Sequence, residues 1–335
     1  MQQTNLSLKK LKGIKPKGVK VKPSSNLDHL FELRDVIMRD FELKRSTVYT
    51  EERYDVLYEI VSDKLADVDF TEDDLSAFIV ADAQEFHEFM FKADIGDDEA
   101  DINGLYSGTL LHLLTERNEK LNKRTYVHID GQGGIFNMLF NFVRKADVVI
   151  VENMHGTYCC RCAGSFNGYF TVLAANNLTG MSVFNAVASH NGFGVSVFGN
   201  NINDIQFAGG AGNYEGKLSY LVAEELKYHN NLNHIGFRGN VDFVGVKNAL
   251  VVSQLGEVNK FVGYNIEHFS EKNPGSSEIF LNTPEAEELY ENSFQKKQFD
   301  QIFNSNLNFA DREAVLKATE HQYKIIQELK KKREI

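Results

Sequence analysis

The chain has no tryptophan, only four prolines and only three cysteines in 335 residues. It also lacks any apolar run near the ~20 residues that a membrane-crossing helix needs, which excludes that class from the sequence. The cysteines are bunched at Cys159, Cys160 and Cys162. An odd, tightly clustered set is not a disulfide framework, and it fits a reducing compartment. Residues 9–22 carry seven lysines and few apolar side chains, so no secretory apolar core is expected at this end. A cytoplasmic location is the expectation. No GxSxG, HExxH or P-loop signature occurs, so the motifs that announce common hydrolases and nucleotide-binding enzymes are missing.

What is present is globular in balance: 42% hydrophobic and 25% charged residues, with aromatic packing left to 25 Phe and 13 Tyr. The net charge of −11 is unevenly spread. Lys9, Lys10, Lys12, Lys15, Lys17, Lys20 and Lys22 stand in a first stretch of 25 residues that has no Asp or Glu, which leaves −18 for the remainder. Gly13, Pro16, Gly18 and Pro23 oppose a helix there. Residues 1–25 therefore read as a flexible basic arm for a polyanion, nucleic acid included, or for an acidic protein surface.

Three textures follow. Residues 26–124 read as amphipathic helices: an Asn26 cap with Leu27, Leu30 and Phe31, a run with Tyr54, Leu57, Tyr58 and Val61, a TEDD start at Thr71, and a segment with Leu110, Leu111 and Leu114. Residues 125–270 are rich in Gly and Asn, with short runs such as YVHI, VVIV, YFTVL, GVSVF and ALVV that read as strands of three to five residues. LVAEELKY at 221–228 reads as a helix-like insertion. Residues 271–335 return to helix, with Thr283-Pro284 as a start signal and a basic end at Lys330–Arg333.

The middle part repeats itself. AGSFNG, VASHNG and AGNYEG end at Gly168, Gly192 and Gly216, each 24 residues from the last, and further copies are read at Gly245 and Gly263. Asn153, Asn176 and Asn200 give a second register. A period near 24 built of strand and corner implies one solenoid coil per period, because a single coil cannot bury its apolar face without a neighbour. The ring two residues before each glycine is expected to point inward and stack on the ring of the next coil. The fold class expected is α+β: a parallel β-solenoid of about five or six coils, with N-terminal and C-terminal helices capping its two ends.

Gly209-Gly-Ala-Gly-Asn-Tyr-Glu-Gly216 and Phe237-Arg-Gly-Asn-Val-Asp-Phe-Val-Gly245 resemble the repeat of the GXGXG β-helix domains, known from the glutamate synthase large subunit and a formylmethanofuran dehydrogenase subunit. The resemblance covers about 163–263 and implies a right-handed parallel β-helix with a scaffolding role. It carries over no catalytic residue.

Four constellations could carry chemistry. His155, Cys160 and Cys162 are the ligand types of a zinc site, although in a strand Cys159 would face away from the other two. His128 and Asp130, at i and i+2 before a glycine turn, could form an acid–base pair. Glu99, Asp101, Asn103 and Gly104 match the start of a calcium loop but lack the acid at its twelfth position. Glu85, His87 and Glu88 read as a solvated helix face. The coil segments hold no evident pair of acids for glycoside cleavage. No cofactor is expected, and the best reading is a non-catalytic scaffold that assembles with itself or with another protein.

Overall fold

A computed structural model describes residues 25–40, 50–82, 98–227, 232–270, 278–305 and 307–333. The basic arm, Lys9 to Lys22, and Glu85, His87 and Glu88 lie outside the described residues. Among the described residues, four helices come first: α1 (Asn26–Asp40), α2 (Thr50–Lys64), α3 (Glu72–Asp82) and α4 (Asp98–Lys120). Nine strands follow: β1 (Tyr126–Asp130), β2 (Lys145–Thr157), β3 (Tyr169–Met181), β4 (Phe193–Asp204), β5 (Lys217–Leu226), β6 (Leu232–Asn233), β7 (Asn240–Ser253), β8 (Val258–Ser270) and β9 (Glu278–Leu281). Four helices close the chain: α5 (Pro284–Asn292), α6 (Phe294–Phe303), α7 (Arg312–Ala318) and α8 (Glu320–Arg333).

Every strand pairing is parallel, in the order β1-β2-β3-β4-β5-β7-β8-β9 with β6 beside β7, which is a β-solenoid of about five turns. The strands are longer than expected because each turns a corner without losing its neighbours. The corner residue is left-handed: Asn153, Asn177, Asn201, Glu225, Asn248 and Asn265 all have φ between 52° and 56°. Asn tolerates this region better than most side chains. Its amide also bonds along the stack, Asn177 Nδ2 to Asn153 Oδ1 at 3.1 Å and Asn265 Nδ2 to Asn248 Oδ1 at 2.7 Å. The register expected from Asn153, Asn176 and Asn200 is thereby corrected. Asn153 stacks with Asn177 and Asn201, while Asn176 and Asn200 stack on Glu152 in the adjacent column.

The remaining side of each coil is a ribbon of consecutive turns. In the ribbon 158–168, Tyr158, Cys160, Cys162, Gly164 and Phe166 all have positive φ. Their N–H groups reach alternate neighbours: Cys160 back to Leu139 O (2.6 Å), Cys162 forward to Asn185 O (2.8 Å), Gly164 back to Val143 O (2.8 Å). Each left-handed non-glycine residue costs roughly 1–2 kcal/mol, and the inter-coil bonds hold it there. The ribbon ends in a turn whose two central residues are both left-handed, Phe166-Asn167, His190-Asn191 and Tyr214-Glu215, as in type I′.

This geometry revises the glycine reading. Gly168, Gly192 and Gly216 close these turns, and a Cβ on any of them would meet a carbonyl of the preceding coil within 2.0–2.2 Å. The column continues at Gly239, which precedes β7. Gly245 and Gly263 are not members: they lie inside strands, opposite Val222 and Val246. The rings do stack coil on coil, Phe166 on His190 at 4.7 Å and His190 on Tyr214 at 4.8 Å. They do so at the outer edge of the turn, with Phe166 half-buried and Tyr214 exposed, and not in the core. The LVAEELKY segment is not an insertion: it supplies the end of β5 and stays in register with β4 and β7.

The helical parts divide their work differently from expectation. The N-terminal helices cap the first coil. Gly104 and Gly108 let α4 lie on the ribbon 138–143, since a Cβ there would meet Met138 O at 2.3 Å or Asn141 O at 2.5 Å. Leu105, Tyr106, Leu110 and Leu111 complete a core continuous with the solenoid interior. The C-terminal helices do not cap the far end. They run back across the outer face of the sheet, where Tyr290, Phe299, Ile302, Val315 and Ile326 pack on Val148, Ile150, Val172, Phe198, Tyr220 and Val222 as a second core. The strands are apolar on both faces here, so a cover is required. Arg124 ties cap, solenoid and cover together. It grips Asp147 with two bonds of 2.9 Å, donates to Leu316 O at 2.8 Å and lies over the Tyr323 ring.

Two outcomes follow for stability. Gly192→Ala is expected to cost at least about 2 kcal/mol, because a backbone carbonyl cannot step aside; Gly133→Ala, left-handed but facing open space, is expected to cost about 1 kcal/mol. Urea denaturation of both ranks them. Arg124→Ala is expected to cost roughly 3–5 kcal/mol by leaving Asp147 buried and unpaired, and the double change with Asp147→Ala is expected to recover part of it, read from a double-mutant cycle.

Candidate functional site

His128 and Asp130 stand on one side of β1, as their spacing implies, but they do not pair. His128 Nε2 meets Glu152 Oε1 of the next coil at 2.8 Å, with both side chains less than one-fifth exposed. Glu152 Oε2 accepts from Asn176 Nδ2 at 3.2 Å, and Asn176 Oδ1 from Asn200 Nδ2 at 3.0 Å. Asp130 Oδ1 accepts from Gln132 N–H and Asn153 Nδ2, both at 3.1 Å, and so caps the glycine turn after β1. Parallel stacking explains the exchange of partner, since a side chain's nearest polar neighbour is one coil away rather than two residues away.

Among the described residues, a dense set of ionisable groups lies outside every constellation read from the sequence. It sits where α2 and α4 meet the start of β2. Glu116 Oε1 accepts from Lys145 Nζ at 2.5 Å, and its Oε2 accepts from the Tyr58 hydroxyl at 2.6 Å. His112 Nε2 stands 3.3 Å from Oε1, off the line of a hydrogen bond, and His112 Nδ1 meets the Tyr54 hydroxyl at 3.1 Å. The His112 contact, followed by the bonds from Lys145 and Tyr58, holds the Glu116 carboxyl well below the usual carboxylate range in spite of burial. Burial pushes His112 down, toward the neutral imidazole. Beside this set, the Tyr169 hydroxyl bonds Glu119 at 2.5 Å, while Lys330 pairs with Glu119 and lies 3.7 Å above the Tyr169 ring. Lys330 therefore joins α8 to α4 and β3 in a seam. The only sequence signal for the set was His112 and Glu116 at i and i+4.

The cysteines lie in the ribbon and not in a strand, and all three are buried. Burial pushes the Cys159 thiol up to about 12 and that of Cys160 well above its usual value, away from the thiolate that metal binding requires. Cys159 instead donates to Phe136 O at 3.0 Å. Among the described residues, no group of three His, Cys, Asp or Glu is placed to hold a metal ion, so His155, Cys160 and Cys162 are not assembled as a ligand set. Glu99, Asp101, Asn103 and Gly104 lie within α4, a helix that cannot wrap an ion, and Asp101 bonds Arg53 and Asn141. Gly210, Gly212 and Gly216 belong to the turn ribbon. No helix of the described residues is long and apolar enough to cross a membrane.

Among the described residues, Asp204 is the most enclosed carboxyl, with no exposed surface. Its Oδ1 accepts from Ser182 N–H (2.8 Å) and Gln206 N–H (2.6 Å), and its Oδ2 from Val183 N–H (2.8 Å). It ends β4 and fixes the start of the ribbon in the preceding coil. Desolvation pushes it up to about 6, against the pull of those three N–H groups.

No family model matches this chain, and no curated protein or solved structure shows significant similarity to it.

Since Asp204 holds its proton to a higher pH in the folded than in the unfolded chain, the stability it contributes is complete below about pH 4 and lost as pH rises through about 6. Asp204→Asn is expected to gain on the native chain by on the order of 2 kcal/mol between pH 4 and pH 7. Chemical denaturation of both at the two values measures it, and a constant difference would refute the assignment.

Proposed function

We propose that this protein is a non-catalytic scaffold whose β-solenoid assembles with a second copy or with another protein. The observation that carries this reading is how the reactive groups are used. The Glu116 carboxylate is occupied by Lys145 and Tyr58, Asp204 by three backbone amides, and Glu119 by Tyr169 and Lys330. All three cysteines are buried, and burial pushes the thiols of Cys159 and Cys160 above their usual range. Each group stabilises a junction between coils or between helix and coil. The ribbon side supports the same reading, since it carries a partly exposed column of rings from Phe166 through His190 and Tyr214 to Phe237.

An enzyme centred on His128 and Glu152 is the competing reading, favoured by their 2.8 Å contact and partial exposure. The basic arm adds a third, polyanion binding, which deletion of residues 1–25 followed by salt-dependent RNA and DNA titration addresses. The test of the scaffold is the mass of the purified full chain by sedimentation, with His128→Gln in parallel. A self-assembly or a stoichiometric protein complex, unaffected by His128→Gln, is the expected result. A monomer without a partner, with a turnover that His128→Gln abolishes, overturns it.

A further inference from the structure

The two ends of the solenoid are finished differently. At the first coil, α3 packs against β1 and α4 against the ribbon, so that end is closed by helices. At the other end stands β9, which among the described residues has β8 on one side and no strand on the other. The cover does not close it, because α5 turns back over β8 directly after β9.

The core-facing column shows what this end lacks. Ile279 continues the column Val197, Leu221, Val244 and Phe261, each of which has no exposed surface, yet Ile279 itself is half-buried. Leu281, its core-facing neighbour, is half-buried too. The polar edge is equally defined. Asn282 N–H donates to Gly263 O at 2.9 Å, toward β8. By strand alternation Phe280 also faces β8, and the N–H and C=O groups of Ile279 and Leu281 point away from the sheet.

We infer that β9 is the interface for a second copy of this chain, pairing antiparallel with its counterpart about a two-fold axis at Phe280. This rests on the self-assembly half of the scaffold reading. A head-to-tail stack is blocked, because the opposite end of the next copy is covered by helices; an isologous contact needs only the open end. The register follows from the outward groups. Ile279 and the partner's Leu281 exchange two backbone bonds, and the symmetric pair exchanges two more. Phe280 faces the partner's Phe280 across a non-hydrogen-bonded position, where side chains approach most closely. The charges also fit: Glu278 falls opposite the partner's Asn282, so no like charges meet, and Glu278 keeps its 3.3 Å pair with Lys260. Ile279 and Leu281 then gain the apolar neighbours that every earlier coil has. The occupant recognised is a short extended strand with apolar side chains, which is β9 itself.

Sedimentation equilibrium of the full chain over a wide concentration range, with three variants, tests the interface. The native chain is expected to form a dimer. Leu281→Pro, which removes an outward N–H without touching the β8 pairing, is expected to weaken it by roughly thirtyfold. Phe280→Cys places a thiol on the axis and is expected to cross-link to its own copy under mild oxidation, whereas Val56→Cys, exposed on α2, does not. The three native cysteines are buried, so the background is low. A monomeric native chain overturns the inference, as does Phe280→Cys cross-linking no faster than Val56→Cys. A dimer that survives Leu281→Pro overturns this interface while leaving self-assembly standing. A monomer that carries a different protein partner overturns this interface while leaving the scaffold reading standing.

Discussion

Backbone hydrogen bonding between successive coils is the constraint from which the other features follow. In a globular sheet, a strand pairs for five or six residues and then leaves. Here the chain keeps its neighbours through the corner at Asn153, Asn177 and Asn201 and on into the turn ribbon, so nearly the whole coil is in register with the next. That demand selects the left-handed residues, whose amide groups must alternate between the coil before and the coil after. It also selects Gly168, Gly192 and Gly216, where carbonyls of the preceding coil leave no space for a Cβ. Like side chains then stack by necessity, which turns Asn, Phe and His into columns.

A stack of this kind creates two problems: open ends and an apolar outer face. The chain solves one end and the outer face with helices, and joins both solutions through charge. Arg124 with Asp147, Lys145 with Glu116 and Lys330 with Glu119 lie where cap, sheet and cover meet. Such half-buried pairs contribute less through their attraction than through the penalty for separating them. They therefore fix the position of the cover more than they raise its affinity. The same accounting explains why the most perturbed acids and bases of this molecule mark structural joints. Burial and saturation with donors shift a group's proton affinity whether or not a substrate is ever present.

Much of the solenoid was legible in the sequence because its period is a backbone property. The 24-residue spacing of the turn glycines and the stacking of Phe166, His190 and Tyr214 could be read directly. Errors began where one short pattern fits two environments. Phe243-Val-Gly245 looks like Phe166-Asn-Gly168, yet one is a strand and the other a turn, and Gly239 is the true continuation of the column. LVAEELKY looks helical by composition, but the parallel register of β4 and β7 overrides that propensity. The outward direction of the rings was not readable either, because left-handed residues of the ribbon face both ways: Cys160 and Phe184 are buried while Tyr214 is exposed.

By itself, the sequence determined the repeat, the class of fold and the division into helical, coiled and helical parts. These depend on local periodicity and on which residues tolerate sharp corners. Tertiary structure alone decided which residues face one another across coils. It paired His128 with Glu152 in place of Asp130, sealed the cysteines in the ribbon, and laid the last helices along the sheet rather than over its end. The physical reason is the same in each case. In a parallel stack, the closest neighbour of a side chain lies one whole coil away, and its distance along the sequence carries no sign of its distance in space.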